Sequence, residues 1–192
     1  MIHVGPEFLT DLLADITGRP AARPLFASPV LDDAAVARAV HGLHAALTGA
    51  ASPLERGERL TAAAALLVRR GATRPPAPAR PLAARDAADA ARRIRAFLHD
   101  EYASQVSGVE LAAVAGRSRY AAYRAFQASY GLAPSAYQRQ LRLRAARRLL
   151  AGGVTPAAAA ATAGFADQAH LTRWFRRCYG ITPGAYRGAA SG

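Results

Sequence analysis

Residues 124–137 read RAFQASYGLAPSAY, and residues 173–186, which lie 49 positions later, read RWFRRCYGITPGAY. Seven of the fourteen positions are identical, and they include aromatic residues, a glycine and a proline. A high alanine content does not easily produce such matches in a single register. A solenoid needs at least three repeats to bury its faces. The sequence therefore predicts two copies of one structural unit.

Each copy follows a short helix and a tight, glycine-containing turn. In the first copy, residues 109–116 predict a short helix and residues 118–130 predict a second helix. In the second copy, residues 155–164 and 167–179 predict the same pair. Helix, glycine turn and helix is the pattern of a helix-turn-helix unit.

The second helix of each unit has an apolar face and a polar face. The apolar residues recur every four positions, which places them on one side of a helix. They are Ala122, Phe126 and Tyr130 in the first copy and Leu171, Phe175 and Tyr179 in the second. The other face carries arginine, glutamine and threonine, which pair with guanine, adenine and the thymine methyl group. These helices are predicted to read a DNA groove.

Residues 134–150 predict a helix about 25 Å long that joins the two units. Four apolar residues are expected to pack on both units: Leu143, Ala146, Leu149 and Leu150. Five arginines are expected around its remaining surface: Arg139, Arg142, Arg144, Arg147 and Arg148. A helix of this length would hold the two recognition helices near successive major grooves, about 34 Å apart.

The N-terminal part of the chain predicts three helices, over residues 6–13, 32–49 and 52–71. In the last of these, Ser52 is expected to cap, Pro53 to occupy the first position and Glu55 to complete a capping box. Residues 72–85 contain four prolines, which cannot continue a helix. We therefore divide the chain into a helical segment (1–71), a proline-rich linker (72–85) and a C-terminal domain (86–192).

Charge is concentrated in the C-terminal part. All 25 basic residues are arginine, and residues 86–192 carry a net charge of +9 against +3 for residues 1–85. This asymmetry favours a polyanionic partner, with release of counterions from phosphates. A membrane surface is the weaker alternative. Neither a signal peptide nor an 18-residue apolar run is found, so a cytoplasmic protein is expected.

Residues 160–187, AATAGFADQAHLTRWFRRCYGITPGAYR, resemble the C-terminal domain of the AraC/XylS family of bacterial transcription regulators. The resemblance covers about residues 86–187. It implies an all-α fold in which a tandem helix-turn-helix domain of about seven helices, with its long linker helix, follows a small helical segment. It also implies a sequence-specific activator or repressor that binds double-stranded DNA in the nucleoid.

The resemblance also implies which side chains contact DNA. In the first unit they are Ser118, Arg119, Tyr120, Tyr123 and Arg124. In the second unit they are Gln168, Ala169, His170, Thr172, Arg173 and Arg177. Tyr123 is bulkier than the small polar residues common at its position in the family.

Members of the family usually carry an N-terminal effector barrel, and the chain departs from them there. The 31 residues before Asp32 are too few to form one, so the barrel is expected to be truncated or missing. Residues 32–71 resemble the helical segment that follows such a barrel and often mediates dimerisation. A homodimer through residues 32–71 and contact with RNA polymerase are therefore expected, with no membrane partner.

Two other classes of function remain as alternatives. One is an enzyme acting on DNA, such as the alkyl-transfer repair proteins that share this type of domain. These need a reactive cysteine, and Cys178 lies within the last recognition helix without a cluster of ligands around it, so no enzyme, cofactor or metal site is expected. The other is a protein-interaction module in which residues 32–71 dimerise or bind an effector and DNA contact is secondary.

Overall fold

The computed structural model describes residues 3–77 and 84–190. These residues form ten helices, and the isolated β-bridge among them pairs Phe26 with Ala72. The helices are α1 (Pro6–Thr17), α2 (Ala34–Thr48), α3 (Pro53–Gly71), α4 (Ala84–Asp100), α5 (Gly108–Ala115), α6 (Arg119–Tyr130), α7 (Pro134–Ala151), α8 (Pro156–Thr162), α9 (Gln168–Tyr179) and α10 (Pro183–Ala190). The all-α prediction is confirmed, and the seven helices α4–α10 form the predicted tandem domain.

Side-chain caps fix where several helices begin. The Ser52 hydroxyl accepts from the Glu55 N–H at 3.2 Å, as predicted. The Glu55 carboxylate, however, bonds Arg139 at 2.9 Å rather than closing the predicted capping box. A complete box forms at α5, where Ser107 and Glu110 each accept from the other's backbone N–H. Helix starts therefore follow local sequence, but side chains with a distant partner are drawn away from the cap.

The C-terminal domain contains two separate cores. The first lies between α4, α5 and α6, and its fully buried members include Ile94, Leu98, Leu111 and Phe126. The second lies between α7, α8 and α9, and its fully buried members include Leu150, Leu171 and Phe175. The apolar faces predicted for the two recognition helices point into these cores.

The linker helix α7 divides its contacts between the cores along its length. Its four predicted contact residues (Leu143, Ala146, Leu149 and Leu150) all pack in the second core, so the prediction that they touch both units is wrong. Tyr137 and Leu141, which are nearer the start of α7, pack against the first core. Each end of α7 therefore belongs to a different helix-turn-helix unit.

Arg142 lies inside the fold, although it was predicted on the surface of α7. It is 5% exposed and donates from Nε to the Tyr102 carbonyl and from Nη2 to the Ser104 carbonyl, both at 2.7 Å. Gln138, 1% exposed, also donates to the Ser104 carbonyl, at 3.0 Å. These carbonyls follow the end of α4 and need donors when buried. The two side chains therefore attach α7 to the α4–α5 loop.

Helices α1 and α3 pack on one another and on the first helix-turn-helix unit. Leu54 of α3 is fully buried in the first core. Leu12 and Ile16 of α1 form a cluster with two alanines of α3, and Tyr120 of α6 packs against that cluster. Part of the predicted linker, residues 78–83, lies outside the described residues. The N-terminal helices and the first unit therefore share a packed interface.

We predict that Arg142→Ala lowers the free energy of unfolding by about 3 kcal/mol, because it leaves two buried carbonyls without their charged donor. Urea denaturation followed by circular dichroism measures the change. Arg144→Ala, which removes an exposed arginine two residues further along the same helix, is the control and should change stability by about 0.5 kcal/mol or less. Equal effects of the two substitutions would contradict the role given to Arg142.

Candidate nucleic-acid interface

The turn before α9 has a conformation that requires glycine. Gly164 has a φ of +80°, and a Cβ built on it would lie 2.2 Å from the Ala103 carbonyl oxygen. Asp167 then caps α9 by accepting from the His170 N–H at 2.6 Å. The backbone of the α8–α9 turn therefore lies directly against the α4–α5 loop, which fixes the direction in which α9 leaves the fold.

The outward face of α9 carries most of the predicted contact residues of the second unit. Gln168, Ala169 and Arg173 are exposed, and Thr172 is half-buried beside them. Together with Arg176 they line one open, shallow surface. Arg176 was not among the predicted contacts, although its position four residues after Thr172 places it on the same helix face. This surface, lined by these five side chains, is named the α9 surface below.

His170 is the member of the predicted set that turns away from the α9 surface. Its ring is half-buried and packs edge-on against Phe165, with 5.4 Å between the ring centroids. Burial, and then the charge of Arg173, lower the pKa of His170 below its usual value. Within the described residues, its Nδ1 is buried without a hydrogen-bond partner. The prediction of an exposed His170 is corrected: its imidazole packs beneath the start of α9.

Arg177, the last predicted residue of the second unit, is exposed next to Trp174. The Arg177 guanidinium carbon lies 5.4 Å from the centre of the Trp174 ring. The guanidinium of Arg139, from α7, lies closer, at 3.7 Å, and it also binds the Glu55 carboxylate of α3 at 2.9 Å. A continuous line of contacts, Glu55–Arg139–Trp174, thus connects the N-terminal helices with α9.

The start of the first recognition helix, α6, is packed against α1, whereas the corresponding part of α9 is exposed to solvent. Ser118 caps α6 by accepting from the Ala121 N–H, and its hydroxyl lies near the Asp15 carboxyl of α1. Burial raises the pKa of the Asp15 carboxyl, and the nearby Ser118 hydroxyl offsets part of that shift. Arg119 and Tyr120 are half-buried against the same helix. Three of the five residues predicted for the first unit therefore contact α1.

Tyr123 lies inside the fold, which corrects its predicted place on the DNA-facing surface. It is 9% exposed, and within the described residues its hydroxyl has no hydrogen-bond partner. A Cβ added at Gly57 would lie 3.3 Å from that hydroxyl, and one added at Gly108 would lie 1.9 Å from it. Burial, together with the charge of Glu58, raises the pKa of Tyr123. The glycines of α3 and α5 thus make the space that holds this ring.

Arg124 keeps its side chain exposed, as predicted, but it faces the N-terminal helices. It lies over the ring of Tyr120, with 5.6 Å between the guanidinium carbon and the ring centre. Together with Gln127 it lines a cavity of about 570 Å³ whose other wall includes Leu66 and Arg69 of α3. The polar face of α6 is therefore opposed by α3 across a cleft.

Glu58 of α3 is a buried acid at the boundary with α7 that the sequence did not indicate. Its carboxyl accepts from the Ser135 N–H at 2.8 Å and from the Ser135 hydroxyl. Burial raises the pKa of Glu58 to about 7, although the Ser135 hydrogen bonds oppose the shift. The charged or titratable groups around it are Glu55, Arg139 and Tyr123. Protonation of Glu58 therefore favours this interface.

Two further surveys of the described residues bear on other classes of function. Between residues 3–77 and 84–190, the histidine, cysteine and acidic side chains nowhere come together in a group of three able to hold a metal ion. In the same residues, no helix combines the length and the apolar character needed to cross a membrane.

Comparison with known proteins gives two family matches that together cover most of the chain. Residues 111–189 match the helix-turn-helix domain family, and residues 1–64 match the AraC-like ligand binding domain family. The second match falls on the segment that the sequence analysis treated as the remnant of an effector region.

Two curated relatives are transcription regulators. The chain is 35% identical over 83 residues to YbfI of Bacillus subtilis, an uncharacterised HTH-type transcriptional regulator, covering 43% of this chain and 30% of that protein. It is 38% identical over 97 residues to NphR, a transcriptional activator of a Rhodococcus species, covering 50% of this chain and 28% of that protein. The chain thus spans less than a third of the length of these relatives.

A solved structure of a DNA-binding domain is similar to the chain in both sequence and fold. The DNA-binding domain of AdpA, a global transcriptional factor crystallised in complex with a target DNA, is 31% identical to this chain, with a TM-score of 0.50. The similarity covers 53% of this chain and 92% of that domain. That share is about 102 residues, close to the length of the tandem helix-turn-helix domain.

We predict that Glu58→Gln removes a pH dependence of stability. A pKa near 7 in the folded state and 4.5 in the unfolded state means that neutral Glu58 stabilises the fold fully below about pH 4.5. That stabilisation is lost as the pH rises through about 7. The variant should gain on the order of 3 kcal/mol over the wild type between pH 4.5 and 8. Urea denaturation across this range measures the difference, and parallel curves would contradict it.

We predict that Tyr123→Phe leaves DNA binding unchanged and raises the free energy of unfolding by about 1 kcal/mol, because a buried hydroxyl without a partner opposes folding. Fluorescence anisotropy with a labelled duplex measures binding, and urea denaturation measures stability. Tyr130→Phe, whose ring is only half-buried, serves as the matched loss of a hydroxyl from α6. Weaker DNA binding by the Tyr123 variant would mean that its hydroxyl reaches DNA.

Proposed function

Because this chain belongs to the AraC family of transcriptional regulators, we propose that it binds double-stranded DNA in a sequence-dependent manner and regulates transcription from bacterial promoters. The observation that carries the proposal is the α9 surface, on which Gln168, Arg173 and Arg176 are exposed while Leu171 and Phe175, on the opposite face of the helix, are fully buried. Members of this family act as regulators and not as enzymes.

The residues of the α9 surface have complementary chemistry for base edges in the major groove. Gln168 suits the paired donor and acceptor of adenine, and Arg173 suits the two acceptors of guanine. Ala169 and the methyl group of Thr172 suit the methyl group of thymine. Arg176, at the edge of the same surface, suits a phosphate, which fixes the position of the helix without specifying sequence.

Electrostatics supports the same partner. The net charge of +9 on residues 86–192 lies on the part of the chain that carries both recognition helices. Arg144, Arg147 and Arg148 of α7 are exposed and add to this charge. Neutralising DNA phosphates with such groups releases counterions, so binding should weaken steeply as the salt concentration rises.

The first unit supplies the second set of contacts in this proposal. Arg119, Tyr120 and Arg124 of α6 occupy the positions that correspond to Gln168, Ala169 and Arg173 of the α9 surface, and Ser118 corresponds to the capping residue Asp167. The 18 residues of α7 span about 27 Å, which is compatible with placing α6 and α9 near successive major grooves of one duplex. A regulator with these contacts would act in the cytoplasm, at the nucleoid.

A second copy of the chain and RNA polymerase are further partners that we propose for this function. Dimerisation through residues 32–71 is supported by Val40 and Leu47 of α2. They are 41% and 45% exposed, and they recur with Val36 and Leu43 at the spacing of one helix face. Light scattering of the whole chain and of Val40→Ser/Leu47→Ser tests this interface. A monomer at all concentrations would remove dimerisation from the proposal.

We predict that Arg173→Ala weakens binding to a selected duplex by roughly 1–3 kcal/mol and relaxes the base preference at one position, because it removes a paired contact to guanine. The duplex comes from repeated selection out of a random library with the wild-type chain, and anisotropy measures affinity.

Arg38→Ala is the control, since it removes the same charge from an exposed position on α2. The control should keep the base preference. Unchanged affinity and preference in the Arg173 variant would place the recognition surface elsewhere on the protein.

A further inference from the structure

The internal repeat provides a comparison within one molecule. At an offset of 49, Ser118, Arg119 and Tyr120 of the first unit correspond to Asp167, Gln168 and Ala169 of the second. The three residues of the second unit are exposed, whereas the three of the first unit are half-buried. Because the two units share their architecture, the difference comes from what lies on them rather than from how they fold.

Helix α1 lies on the first unit beside these three residues. Asp15 lines one small cavity together with Arg119 and Tyr120, and it lies close enough to the Ser118 hydroxyl for that hydroxyl to lower its pKa. The Arg119 guanidinium carbon lies 5.4 Å from the centre of the Phe8 ring. Tyr120 packs against the cluster that α1 forms with α3. The contact therefore covers the first turn of the recognition helix.

These α1 groups are of the kinds that DNA would offer at the same positions. A recognition helix meets DNA with its N-terminal residues, and helix N-termini attract phosphate. The Asp15 carboxylate supplies an anion at the N-terminus of α6, and Phe8 supplies an aromatic face to Arg119. Two such partners cannot occupy one surface at the same time.

Helix α1 can detach while the first helix-turn-helix unit stays folded. Residues 18–33, which contain Pro20, Pro24 and Pro29, join α1 to α2 and include no helix. Helix α3 is anchored separately, since Leu54 is fully buried in the first core. The first core therefore keeps its α3 contribution when α1 leaves, and partial openings of this kind need less free energy than global unfolding.

We propose that α1 is an autoinhibitory cap that occupies the DNA-binding end of α6, so that the capped chain recognises DNA through α9 alone and gains the second half of its binding site when α1 detaches. This inference rests on the proposed DNA binding. It deepens that function by assigning α1 a regulatory role and by making the two units unequal in the capped state.

Selection from a random duplex library tests the proposal with the whole chain. The wild type should enrich sequences with one conserved half-site. Phe8→Ala, which removes the ring that packs against Arg119, should enrich two half-sites about 10–10.5 base pairs apart, the spacing of successive major grooves. The variant should bind the duplex with two half-sites about tenfold more tightly than the wild type, a coupling of ordinary size between sites. Glu7→Ala shortens an exposed side chain of the same helix and should behave as the wild type.

An engineered disulfide that holds α1 against α6 tests the proposal in the opposite direction, because it should keep the first unit covered. Asp15→Cys and Ser118→Cys, combined with Cys178→Ser, place two thiols on neighbouring positions of α1 and of the start of α6. The oxidised protein should enrich one half-site and the reduced protein two. Failure to form the disulfide under mild oxidation would overturn the placement of α1 on α6.

The results separate this inference from the function on which it rests. If none of the proteins enriches any sequence, the proposed DNA recognition fails. If the wild type itself enriches two half-sites, or Phe8→Ala and Glu7→Ala behave alike, the autoinhibitory cap fails and DNA recognition stands.

Discussion

The arrangement of the two helix-turn-helix units depends on three consecutive backbone carbonyls after α4, those of residues 102–104. Arg142 donates to the first and third carbonyls, and Gln138 donates to both as well. The middle carbonyl, of Ala103, closely approaches Gly164 in the α8–α9 turn. One short loop therefore joins the first unit, the linker helix and the second unit. Because all three meet within a few ångströms, rotation of one unit against the other would break several buried hydrogen bonds at once.

Much of the fold could be predicted from the sequence because its determinants are local. The start of α3 followed from the capping residue Ser52, and the buried faces of α6 and α9 followed from apolar residues four positions apart. The repeat supplied the register of the two units. Such signals lie within a few residues of the feature that they determine.

The predictions that were wrong, and the buried acid that the sequence did not indicate, concern side chains whose partners are distant in the chain. Arg142 bonds carbonyls about 40 residues away, and Ser135 bonds Glu58 from 77 residues away. The place of Tyr123 is set by glycines on two other helices. A helical pattern shows that these residues do not belong to the main apolar face, but it cannot show what will cover them. For this reason, the sequence indicated the α9 surface better than the corresponding face of α6.

The line of contacts from Glu55 through Arg139 to Trp174 has a practical consequence, because Trp174 is the chain's single tryptophan. A cation held 3.7 Å from the indole ring stabilises one electronic state of the ring more than another, so the wavelength of its emission depends on where that cation is held. The carboxylate that holds it belongs to the N-terminal helices. Intrinsic fluorescence therefore offers a label-free optical signal, emitted from the recognition helix of one unit, for how the N-terminal helices are attached.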